Sequence, residues 1–191
     1  MISTVISDVL SAVIGNYMTS CFVLGLLVAA VRVARLREGR TASAVSGIFL
    51  DTFLLYGLGV AMAINFVMHS VFGDFAARTI GWAQSPFQLE LALSSLAFAL
   101  VAIMAYGRGA QLRAKAAVVI GAVIFGLGAA GGHIYQSVVN HDYAVNNTGL
   151  LLVSDIAINL IGLAFLVWHA AARRSARAEE RVVAAETLPA A

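Results

Sequence analysis

Four ionisable side chains, His69, Glu90, His133 and Asp155, stand inside long apolar stretches of this sequence, each near one end of its stretch. Two histidines and two carboxylates brought together from separate helices form a ligand set suited to zinc, iron or manganese. The same groups are the usual currency of intramembrane proton and ion pathways. A carboxylate at membrane depth is costly unless paired, so Glu90 and Asp155 require partners at their own level. Polar neighbours about one helical turn away, Asn65 for His69, Gln136 for His133 and Asn159 for Asp155, are placed to orient such ligands.

The elements that must position these groups follow from composition. The chain has 191 residues, 61% of them hydrophobic and only 12% charged, with a mean hydropathy of +0.90. Those values exclude an ordinary soluble domain, and the long unbroken apolar runs predict an all-α integral membrane bundle rather than a β-barrel. Five transmembrane helices are expected at about 9–31, 44–71, 86–106, 116–139 and 149–169, each near the ~20 residues that cross a hydrocarbon core. They make up a membrane domain over residues 1–172, followed by a partly disordered tail at 173–191 that frays toward Pro189. The first apolar segment lacks a basic leader, so it is expected to be a retained helix.

Of the 12 basic residues, all but Arg78 fall after segment one, after segment three or in the tail. The positive-inside rule therefore predicts an N-terminus outside and a C-terminus in the cytoplasm. Trp82 and Trp168 then mark opposite interfaces. No basic folded surface is available for nucleic acid; the expected surroundings are the lipid bilayer, with a small molecule or ion as a possible ligand. The single cysteine, Cys21, excludes an intramolecular disulfide and reads as a small hydrophobe.

With this topology, His69, Glu90, His133 and Asp155 all lie within about 4 to 10 Å of the outer boundary, at 1.5 Å per residue. Gly128 and Gly132, spaced for close helix approach, provide a route by which they meet. The leading expectation is a metal site formed by the four. One alternative is a ligand-free carboxylate–histidine network, favoured by the acids lying near helix N-termini and the histidines near C-termini. The other is a proton- or ion-coupled transporter or channel component, with Asp51 as its inner end, about 27 Å along the helix from His69. A haem between His69 and His133 fits poorly, because two acids share the layer. Asp51 is otherwise expected to pair with a nearby arginine, His141 and Asp142 to be solvated, and His169 to be interfacial.

Smaller signals concern local structure. Ser85 and Gln88 have the spacing of a capping box with Pro86 at the first helical position, which makes that stretch a helix start. Thr41 or Ser43 can cap segment two. Phe72, Phe75, Ala76 and Ile80 predict a short amphipathic turn, with Asp74 placed to cap it. Asn146-Asn147-Thr148 is a formal glycosylation triplet of low specificity. No internal repeat is evident, and an odd number of spans argues against paired inverted halves.

The set His69, Gly81-Trp82-x2-Ser85-Pro86-Phe87-Gln88-x-Glu90, Gly132-His133-Ile134-Tyr135-Gln136 and Asp155 resembles a family of small bacterial multi-pass membrane proteins of unknown function. The resemblance covers roughly His69 to Asp155. It implies a bacterial inner membrane and carries no activity with it.

Overall fold

The computed structural model describes residues 13–186. In chain order its helices are α1 Tyr17–Ala34, α2 Ala42–Ser70, α3 Gly73–Ile80, α4 Phe87–Met104, α5 Leu112–Val139, α6 Val145–Thr148 and α7 Leu150–Glu186. No strand occurs among the described residues. Among the described residues five runs are long and apolar enough to cross a membrane: α1, α2, α4, α5 and the α6–α7 run Val145–Glu186. The chain is thus a multi-pass membrane protein. The expected start of the first span, near Val9, and the fraying at Pro189 lie outside the described residues. Over the described part of the tail, α7 continues as helix to Glu186.

Helix α2 is the axis of the bundle. Of its most apolar stretch 61% is buried, against 33% or less in the other four spans, and it packs on α1, α4 and α7. Its start is set by Thr41, whose hydroxyl accepts the Ala44 N–H at 3.2 Å. The middle of α2, Phe53–Val60, winds as a π-helix. Here α4 lies very close: a Cβ on Gly59 would stand 2.9 Å from Ile103 Cγ1. Only a residue without a side chain leaves room for that approach.

The close approach expected at Gly128 and Gly132 occurs at Gly126 instead, two residues before Gly128 and so on the opposite side of the helix. No neighbouring atom lies within 4 Å of a Cβ built on Gly128, and only the Trp82 ring edge reaches 4.0 Å from one on Gly132. Gly126 does the work, because a Cβ there would collide with the Asn159 side chain of α7. Glycine spacing alone does not specify which face meets the neighbour.

The middle of the bundle is apolar. Phe22, Leu50, Phe53, Leu54, Leu58, Val119, Ile158 and Leu166 belong to one buried cluster. Polar side chains collect above and below it, at the His69 end and at the arginine-rich end.

Candidate functional site

At the His69 end, the last turn of α2 and the first turn of α4 face each other. His69 is 9% exposed, and its Nδ1 lies 2.5 Å from Gln88 Oε1. With the Gln88 carbonyl oxygen as acceptor, Nδ1 is the nitrogen that carries hydrogen. Gln88 thus leaves the expected capping box: the Ser85 N–H is taken at 3.0 Å by the Gln84 side chain, and no side chain caps α4. Asp74 likewise does not cap α3 and accepts from Gln84 Nε2 at 2.8 Å. His69, Gln88, Asp74, Arg78 and Gln84 line a cleft of 520 Å³ between α2, α3 and α4.

Glu90 does not join His69. The core stripe of α4 is Ala92, Ser95, Ala99 and Ala102; Gln88 continues that stripe toward the helix start. Two residues on is about 200° around a helix, so Glu90 faces away from it. Its side chain is exposed, and its carbonyl accepts the Ser94 hydroxyl at 2.9 Å.

A second polar group lies deeper. The Tyr17 hydroxyl donates to Asn65 Oδ1, Asn65 Nδ2 donates to Ser95 Oγ at 2.8 Å, and the Ser95 hydroxyl donates to the Leu91 carbonyl at 2.9 Å. This chain ties α1, α2 and α4 together. On its α7 side the Ser154 and Thr19 hydroxyls are 2.5 Å apart, and Asp155, next along α7, is half-buried. Asn159 Nδ2 donates to the Asp155 carbonyl at 2.6 Å, so it serves the backbone of α7 rather than the carboxylate.

His133 stands in a third, separate place. It is 6% exposed, with Nδ1 2.8 Å from Asn147 Oδ1. Trp82 stacks on its ring, centroids 5.1 Å apart and planes 30° apart. Asn147 is fully buried and donates through Nδ2 to the Asp142 carbonyl at 2.7 Å and to Ser137 Oγ at 3.0 Å. The Asp142 carboxylate in turn sits against Gly81, which has φ +87°. The loop after α3 is thereby clamped onto the connection between α5 and α7. Gln136, the expected orienting residue for His133, accepts from Asn140 Nδ2 instead.

The expected zinc, iron or manganese site of His69, Glu90, His133 and Asp155 is therefore not assembled. Among the described residues no three His, Cys, Asp or Glu side chains stand close enough to share a metal ion. The four residues differ in direction and surroundings: Gln88 holds one histidine, Asn147 and Trp82 hold the other, Glu90 points outward, and Asp155 stands with the deeper polar group. These residues do not fit a resident metal.

The arginine-rich end holds residues whose roles the sequence reading missed. Lys115 is buried and ion-paired with Asp51, with side-chain exposures of 5% and 5%; the partner of Asp51 is this lysine and not an arginine. The signal was present, because Lys115 shares the inward stripe of Val118, Val119, Ala122, Gly126 and His133 on α5. His169 is buried as well, its Nδ1 3.0 Å from Ser46 Oγ, where the expectation was an interfacial position. Both groups line a second cleft of 510 Å³, together with Arg32, Arg108 and Arg173.

Fold and site define the class: a polytopic helical membrane protein with separate polar layers at its two ends and an apolar core between them. The chain belongs to DUF6790, a family of unknown function, whose pattern it matches over residues 15–175. No curated protein and no solved structure matches it.

Proposed function

We propose that this protein is a multi-pass binding protein of a bacterial inner membrane, with its N-terminus outside and its C-terminus in the cytoplasm, whose outward cleft takes a small polar molecule. The observation that carries the reading is His69. It is nearly buried at the cleft, held by Gln88 through Nδ1, and its Nε2 has no partner among the described residues. A volume of 520 Å³ lies within the roughly 300–1,000 Å³ of ordinary ligand pockets. Arg78 beside it supports a ligand with a carboxylate or another acceptor. The orientation is supported by the arginine bias between the two ends.

The apolar cluster at the level between Asp51 and His69 weighs against a continuous proton or ion path. A structural membrane subunit is the second reading, and a specific observation favours it. Asp142 Oδ2 is the only buried side-chain polar atom without a hydrogen-bond partner among the described residues, so the polar layers are nearly self-sufficient.

Two measurements test the proposal. In a Cys21→Ala background, Ser85→Cys at the cleft is expected to react with a membrane-impermeant maleimide on intact cells, and Thr41→Cys only after permeabilisation. The reverse pattern overturns the orientation. Thermal shifts of purified protein against amino acids and short carboxylates should include at least one that stabilises wild type and not His69→Gln. Identical responses of the two proteins to every compound would leave the structural reading standing.

A further inference from the structure

We propose that the cleft at the arginine-rich end is a binding site for a phosphoryl anion. It is a different site from the His69 cleft and does not depend on what that cleft binds. Its walls come from three separate parts of the chain: Arg32 from the end of α1, Arg108 from the loop between α4 and α5, and Arg173 from α7. The buried Lys115–Asp51 pair and the buried His169 also line it.

The charges do not balance. Four cations, Arg32, Arg108, Arg173 and Lys115, face two carboxylates, Asp51 and Glu38, among the lining residues. Asp51 is committed to Lys115, and no salt bridge involves the three arginines among the described residues. Like charges gathered in one concavity repel, and an anion seated among them relieves the repulsion. Guanidinium groups present paired donors that match phosphate oxygens, and His169 adds a ring whose Nδ1 is already held by Ser46.

The topological use of arginine accounts for the side of the membrane on which these residues lie, but not for their convergence. Arg35, Arg37, Arg113, Arg174 and Arg177 come from the same three regions and do not line the cleft. The volume of 510 Å³ accommodates a phosphate together with the organic group it is attached to. Such an anion can come from a phospholipid headgroup of the adjoining leaflet or from a soluble phosphomonoester.

The full-length protein in phosphatidylcholine nanodiscs serves for the test, with phosphatidylglycerol added to the disc in one arm and glycerol 3-phosphate added to the buffer in the other. The melting temperature of wild type is expected to rise by about 3 °C or more in at least one arm. The rise should persist in R174Q/R177Q, which removes the same charge outside the cleft, and vanish in R108Q/R173Q. A rise confined to the phosphatidylglycerol discs assigns the site to a headgroup; a rise with glycerol 3-phosphate assigns it to a soluble ligand. Should R108Q/R173Q fail to fold, R108Q alone, altered at an exposed loop position, must reduce the rise at least by half. No rise in either arm, or an equal loss in the two double variants, overturns the proposal.

Discussion

Lys115 places its ammonium against the Asp51 carboxylate, with both side chains about as buried as the leucines around them. The contact joins α5 to α2 below the apolar core, on the wall of the arginine-lined cleft. Removing one member leaves the other charge buried and alone. Asp51→Asn or Lys115→Met is therefore expected to destabilise the protein by about 3–5 kcal/mol, whereas Asp51→Leu with Lys115→Met together should recover most of the loss. Denaturation of the three variants in one detergent checks this, and full additivity of the single losses would contradict it.

His133 is expected to act as the centre of a clamp. Trp82 covers its ring and Asn147 holds its Nδ1, so Trp82→Ala and Asn147→Ala should each loosen the same joint. A double-mutant cycle between Trp82 and His133 is expected to give a coupling of about 0.5–1.5 kcal/mol. Zinc, iron and manganese contents of purified wild type and His133→Ala should be equal. A metal lost with the histidine would restore the metal reading.

Glu90 of α4 and Asn65 of α2 should respond in opposite ways to their appearance in the sequence. Glu90→Gln, at an exposed position, is expected to change stability by no more than about 0.5 kcal/mol. Asn65→Leu, by contrast, strips the Tyr17 hydroxyl of its acceptor and Ser95 Oγ of its donor, at a cost of about 1–3 kcal/mol for each group left unsatisfied. Tyr17→Phe removes one end of the chain and should cost less. Melting temperatures of the three variants decide the order, and Glu90→Gln as the most damaging would reverse the assignment.

Much of this architecture is legible in the sequence, because hydropathy and charge report depth. Five apolar runs separated by polar breaks determine five long helices, and Thr41 marks the start of α2 as expected. That His69, Glu90, His133 and Asp155 stand near the ends of their apolar runs is likewise read directly from the chain. Depth is a one-dimensional quantity, and a linear sequence carries it well.

Direction around each helix axis was decided by the tertiary structure. In a membrane both the lipid-facing and the protein-facing sides of a helix are apolar, so the periodic contrast that fixes facing in a soluble helix is weak. Gln88 and Glu90 stand two residues apart, and only the packing of α4 on α2 turned the amide inward and the acid outward. On α5 the same packing buried Lys115 against Asp51 and chose Gly126 over Gly128 for the approach of α7. Residue types and their depths were written in the chain, but which of them meet depended on the rotation of each helix against its neighbours, a choice made by side-chain fit across distant segments.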